Sequence, residues 1–169
     1  NRYLVKSDRT DANHFTLFYS YGDNTLPKIV GLNFNSDNAF LTEPSEKRDT
    51  IIYWLRDTAL VNQDTLKMQI THNITDTLGV LRQQVDTLQL IAKTSYEKRV
   101  KDAEKRLKTW QKEQDKRKKK GLDYDSVMPP EELKLKIVPS GDLDPDQNVT
   151  ISSDVPLMPV DTAHIHLYS

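Results

Sequence analysis

Cysteine is absent from the chain, which excludes disulfide frameworks, thiolate zinc sites and cysteine nucleophiles together. Glycine is scarce, five in 169 residues, and none falls at the spacings of a P-loop or a dinucleotide-binding turn. No serine stands in a Gly-x-Ser-x-Gly turn, so the strained nucleophile elbow is missing too. No apolar run approaches the roughly 20 residues of a membrane-spanning helix. An excess of one charge is also lacking in sum, at −1, but the sum hides a separation. Between Lys93 and Lys120 there are 13 Lys and Arg against 5 Asp and Glu, a net +8, and the rest of the chain has 11 against 20, a net −9. The basic charge is gathered in one segment.

What is present is an ordinary folding composition, 36% hydrophobic and 29% charged. From Asn1 to about Ala92, short runs of β-branched and aromatic residues alternate with polar turn clusters, the pattern of a sandwich or barrel. The runs are Tyr3 to Val5, His14 to Tyr21, Ile29 to Phe34, Ile51 to Leu55, Leu66 to Thr71, Val80 to Val85 and Leu88 to Ile91. Alternation is clearest at Leu66, Met68 and Ile70, where every second residue is apolar. Gly22-Asp23-Asn24, Asn35-Ser36-Asp37-Asn38 and Asp76-Thr77-Leu78-Gly79 have the chemistry of turns.

From Ser95 to about Lys120 the period changes to that of a helix, with Ser95 as N-cap and Gly121 as terminator. Tyr96, Val100, Ala103, Leu107 and Trp110 fall on one narrow stripe, expected to pack, whereas Gln111 to Lys120 has no apolar residue. Tyr96, Val100, Leu107 and Trp110 are thus the candidate docking residues, and Trp110 the expected boundary between anchored and free helix. The basic half reads as a solvated spacer or hairpin arm, with docking to protein or anionic lipid as the alternative; nucleic acid is disfavoured, since the stacking residues lie on the stripe. After Met128-Pro129-Pro130, strand patterns resume at Leu133 to Val138, Val149 to Ser152 and Ala163 to Tyr168. The expected organisation is a β-sandwich over 1–92, a basic helix and return over 93–131, and strands over 132–169 that complete the first sandwich or open a second.

Asp followed by Ser or Thr and then an aliphatic residue occurs seven times, at Asp49, Asp57, Asp64, Asp76, Asp86, Asp125 and Asp161, where random placement gives about one. One explanation is structural: the Asp closes a turn through an Asx-type bond and the next residues start a strand. The other is that Thr50, Thr58, Thr65, Thr77, Thr87, Ser126 and Thr162 are O-glycosylation acceptors, because the tripeptide resembles the acceptor consensus of exported Bacteroidetes proteins. Asn73-Ile74-Thr75 and Asn148-Val149-Thr150 match the short N-glycosylation sequon. His164 and His166 share a strand face but lack a third ligand, and Asp142, Asp144 and Asp146 match a calcium loop only loosely. The expectation is no metal and no cofactor.

Several stretches together resemble the Bacteroidetes envelope lipoproteins that carry an Ig-like domain of the S-layer type. They are Arg2-Tyr3-Leu4-Val5-Lys6, His14-Phe15-Thr16-Leu17-Phe18, Gly31-Leu32-Asn33-Phe34, Tyr53-Trp54-Leu55-Arg56-Asp57-Thr58, Ser95-Tyr96-Glu97-Lys98-Arg99, Tyr124-Asp125-Ser126-Val127 and Asp161-Thr162-Ala163-His164. The resemblance implies a mainly β chain, an Ig-like antiparallel β-sandwich with one long charged α-helix inserted before the C-terminal strands. It also implies an internal fragment, with a lipidated cysteine and a first Ig-like domain before Asn1. The expected function is that of a non-catalytic structural or protein-binding module, attached to the outer membrane and partnered by other envelope proteins. The alternative is a carbohydrate-binding module using Tyr53, Trp54, Tyr19 or Tyr21 as a stacking platform. Tyr53 and Trp54 face opposite ways, and Trp54 is the one expected in the core.

Overall fold

The computed structural model describes residues 1–141, 148–157 and 163. It divides into two units, Asn1–Lys116 and Arg117–Ser169. The fold is mainly β, with antiparallel pairing throughout and two helices among the described residues. In chain order the elements are β1 (Leu4–Asp8), β2 (His14–Tyr19), β3 (Lys28–Gly31), β4 (Phe40–Pro44), β5 (Thr50–Leu55), α1 (Thr58–Asn62), β6 (Thr65–Thr75), β7 (Leu81–Ile91), α2 (Tyr96–Lys119), β8 (Leu135–Val138) and β9 (Thr150–Ser153).

The first unit holds a four-stranded sheet in the order β1-β2-β5-β4 and a three-stranded sheet in the order β3-β6-β7. Both sheets alternate, as β-branched and aromatic residues on a pleated backbone do. Phe15, Leu17 and Tyr19 of β2 and Ile51 and Tyr53 of β5 turn to one side, Leu66, Met68 and Ile70 of β6 and Leu90 of β7 to theirs, and all join one buried cluster. Complete burial of a side chain of this size contributes about 1.5–3 kcal/mol. The aromatic centre is Phe15, stacked on Tyr53 at 4.9 Å between centroids and met edge-on by Phe40 at 5.4 Å. Tyr19 of one sheet touches His72 of the other at 5.4 Å.

Turn chemistry sets the hairpin between β6 and β7. The Asp76 carboxylate accepts from the Leu78 and Val80 amides, both at 2.9 Å, and Gly79 takes φ +82°, a conformation that costs glycine little. Elsewhere Gly22 is required by proximity, because a Cβ there would overlap the Lys47 carbonyl oxygen.

Three features depart from the sequence reading. The runs Val80 to Val85 and Leu88 to Ile91 form one strand, β7, since Asp86 and Thr87 continue the ladder opposite Ile70 and Gln69 and do not turn. Strand β4 falls in none of the runs named above; its terminal Pro44 is tolerated because β4 is an edge. Helix α1, five residues, is too short to show a period and starts from Asp57, whose carboxylate accepts from the Ala59 amide at 2.9 Å.

Helix α2 begins on Ser95, whose hydroxyl accepts from the Lys98 amide at 3.3 Å, and on Asp64, whose carboxylate accepts from the Tyr96 amide at 2.6 Å. In the second unit it ends in a Schellman motif. The Leu122 amide donates to the Arg117 carbonyl at 3.0 Å and the Gly121 amide to the Lys118 carbonyl at 3.1 Å, with Gly121 at φ +68°. That unit also contains the antiparallel pair β8-β9, registered from Leu135 opposite Ser153 to Val138 opposite Thr150. Of the strand expected over Ala163 to Tyr168, all but Ala163 lies outside the described residues.

Candidate binding surface

With Ile51 and Tyr53 turned to the core, Ile52 and Trp54 must lie on the outer face of the four-stranded sheet. This reverses the expectation that Trp54 is the core residue. A period of 2 gives the alternation but not its phase, and the phase is set by the pairing of Tyr53 with Phe15. Tyr53 is 3% exposed, and burial pushes its phenol pKa up. Tyr19 is buried as well, its phenol raised to about 12 by burial, while Tyr21 is exposed. Tyr53 and Trp54 do face opposite ways, and of the four candidate stacking residues only Trp54 and Tyr21 reach solvent.

A different set meets on the outer face. Trp54 lies in register between Leu41 of β4 and His14 of β2. The His14 ring tilts against the indole at 4.5 Å between centroids, and the indole Nε1 donates to the Glu43 carboxylate at 2.9 Å. In the next row Ile52 lies between Glu43 and Thr16. Further along β2, the Lys6 ammonium sits over the Phe18 ring at 4.4 Å. Trp54, Ile52, His14 and Phe18 are half-buried and Leu41 is exposed. The result is an apolar strip edged by one carboxylate and one ammonium. Its indole is held at one end by Glu43, so the ring plane is fixed before any partner arrives.

Two buried arginines stand at other positions of the first unit. The Arg2 guanidinium lies 4.0 Å from the Tyr19 ring centre and donates to the carbonyls of Asn73, at 2.9 Å, and Tyr21. Arg9 donates to the carbonyls of Ala12, Leu60, Gln63 and Asp64 at 2.8–3.2 Å. Burial, then the nearby Arg99 charge, lowers its pKa.

His72, buried on β6, is joined through Nε2 to the Asp86 carboxylate at 2.8 Å, and Gln84 donates to the other Asp86 oxygen at 2.8 Å. Burial alone raises the Asp86 pKa, but the bonds from Gln84 and His72 and the His72 charge outweigh it, so the carboxyl sits below the ordinary 3.8. A depressed folded pKa means stability that is present above pH 3.8 and lost as pH falls through the folded value. Urea midpoints of the wild type and Asp86→Asn should therefore differ at neutral pH, with the wild type higher, and the gap should close as pH falls below 3.8. A constant gap down to pH 2 would contradict this assignment.

The stripe of α2 expected to pack is not buried. None of its residues is buried, Tyr96, Val100 and Leu107 are exposed and Trp110 is half-buried. Polar groups in the first turn anchor the helix instead: the Tyr96 amide on Asp64, and the Arg99 guanidinium on the Val61 carbonyl at 2.8 Å. A narrow stripe on so charged a helix lacks the width that packing on a core demands.

Among the tripeptides, Asp57 and Asp76 bond to nearby amides, Asp49 accepts from the Ser45 hydroxyl at 2.9 Å, and Asp64 and Asp86 bind Tyr96 and His72. Thr58, Thr77, Thr87 and Ser126 are exposed, Thr50 and Thr65 half-buried, and Thr162 lies outside the described residues. Asn73 of the first sequon donates to Asp23 at 2.7 Å. His166, His164, Asp142, Asp144 and Asp146 lie outside the described residues. Among the described residues no three His, Asp or Glu side chains gather as metal ligands. The chain matches no family model, no curated protein and no solved structure.

Proposed function

We propose that the first unit is an Ig-like β-sandwich acting as a non-catalytic binding module of an exported cell-envelope lipoprotein, and that it holds other envelope or outer-membrane proteins on the Leu41–Trp54–His14 face. One observation carries this reading: on the outer side of a sheet whose inner side already supplies a core, an oriented indole lies in register between an aliphatic side chain and an imidazole. Tryptophan at the centre of such a patch is the residue type that most often dominates an interface, at about 2 kcal/mol or more on truncation. The envelope assignment is supported by the repeated Asp-Ser/Thr-aliphatic tripeptide, four of whose hydroxyl residues are exposed. Mass added by glycans to the protein from its own host would locate it among exported proteins.

The test is recovery from envelope membranes. The wild-type chain is expected to retain an envelope protein that Trp54→Ala loses by about thirtyfold in affinity, while the variant stays folded. Retention of cytosolic proteins alone, or equal retention by the variant, would contradict the proposal. A second reading, carbohydrate binding, is favoured by the half-exposed Trp54 ring, since sugars stack on such faces. Binding on a glycan array that disappears in Trp54→Ala would select it over protein binding.

A further inference from the structure

The first unit has four sheet edges, and three are blunted against strand addition. Strand β1 carries Lys6 and an irregular register between Leu4 and Lys6, β4 ends in Pro44, and β3 is four residues long. Strand β7 runs 11 residues without lysine, proline or an irregular register, and pairs with β6 on one side only. Its two charged side chains, Arg82 and Asp86, are each paired within the chain, with Asp76 and His72. β1 approaches β7, yet no backbone hydrogen bond joins the two. The outer-face side chains of β7 are also unusually apolar for an open edge: Leu81, Val85 and Ile91 are 54%, 58% and 59% exposed. A long, regular edge of this kind is a template for another strand.

We infer that the partner strand is β7 of a second copy of this chain, paired antiparallel about a two-fold axis at Asp86. The outer face of β7 reads the same in both directions by chemical type: Leu81, Gln83 and Val85, then Thr87, Gln89 and Ile91. About that axis Leu81 meets Ile91 of the copy, Gln83 meets Gln89, and Val85 meets Thr87. Apolar thus faces apolar, amide faces amide and β-branched faces β-branched, the cross-strand pairs that stabilise a sheet. On the outer face, moving the axis to Val85 or Thr87 sets an aliphatic side chain opposite a glutamine, so that face selects one register, while on the inner face the axis at Asp86 sets Gln84 opposite Leu88 and Arg82 opposite Leu90. The only like-charged pair is Asp86 with its copy on the axis, and each carboxylate is already bonded to His72 and Gln84 of its own chain. The two three-stranded sheets would become one six-stranded sheet. The pairing is isologous and closes at two chains. It buries little beyond one strand, so affinity falls in the micromolar range.

Sedimentation velocity over a concentration series up to about 1 mM tests this with two charge variants of the same positions. Positions 81 and 91 are about 33 Å apart along one strand, so charges placed there interact only across the axis. In Leu81→Lys with Ile91→Lys, like charges face each other twice and dimerisation should weaken on the order of tenfold or more. In Leu81→Lys with Ile91→Glu, opposite charges face each other twice and dimerisation should persist near the wild-type level. Both pairs are exposed, so neither variant touches the core, and equal unfolding midpoints would verify that. A wild type that stays monomeric throughout, or two variants that dimerise equally, would overturn the inference.

Discussion

Phe15→Ala is expected to lower the unfolding free energy by about 3–5 kcal/mol, a large fraction of the roughly 5–15 kcal/mol that holds an ordinary domain folded. Phe15 is fully buried in β2, stacked on Tyr53 and met edge-on by Phe40, so truncation removes apolar burial and leaves a cavity beneath two rings. Those rings sit on paired strands, with Phe40 and Tyr53 also in edge-on contact at 5.8 Å, and relax poorly into the space. Leu41→Ala, on the outer face, should cost under about 1 kcal/mol, because Leu41 is already half exposed to water. Urea denaturation followed by circular dichroism distinguishes the two. Comparable losses at both positions would mean that the inner and outer faces of this sheet are misassigned.

Removing Arg9 should have an effect of similar size from a different cause. The side chain is 3% exposed, and its guanidinium donates to four backbone carbonyls from Ala12 to Asp64. Arg9→Met fills much of the same volume but leaves those carbonyls without their donor, at about 1–3 kcal/mol for each that water cannot reach. A loss of about 3 kcal/mol or more is expected. Arg9→Lys should recover little, since a single ammonium cannot span carbonyls that a planar fork reaches on two sides. The readout specific to this role is the root of α2. Asp64, whose carbonyl Arg9 holds, is also the residue whose carboxylate caps Tyr96. Amide exchange at Tyr96 should therefore accelerate in Arg9→Met at a temperature where the core amides of Leu66, Met68 and Ile70 stay protected. Unchanged exchange at Tyr96 would separate the helix root from Arg9.

Much of the β architecture can be read from local patterning. The alternation of Leu66, Met68 and Ile70 places β6 and its inward face, and Asp76 to Gly79 has the turn chemistry that the hairpin uses. What cannot be read depends on residues distant in sequence. Whether Tyr53 or Trp54 points inward is decided by the pairing of β5 with β2, 38 positions away at Phe15 and Tyr53, and either phase suits an alternating strand. The stripe Tyr96, Val100, Ala103, Leu107 and Trp110 has helical spacing, but spacing does not supply a surface to pack against. The anchor that α2 does use, Asp64 and Val61, lies more than 30 positions upstream and is polar. Likewise, the four carbonyls gathered by Arg9 leave no trace in a hydrophobicity pattern. The outer strip of Leu41, Trp54 and His14 comes from three strands, one of which, β4, resembles a loop until its partner is known.

The face carrying Trp54 is the centre of the functional proposal, and oxidative footprinting of the aromatic side chains tests it most directly. In the isolated chain, hydroxyl radicals should modify Trp54 and His14, which are partly open to solvent, and spare Phe15 and Tyr53 in the core. On envelope membranes from the protein's own host, Trp54 and His14 should become protected while exposed Tyr21 stays as reactive as before. Equal modification of Trp54 with and without membranes would contradict the account.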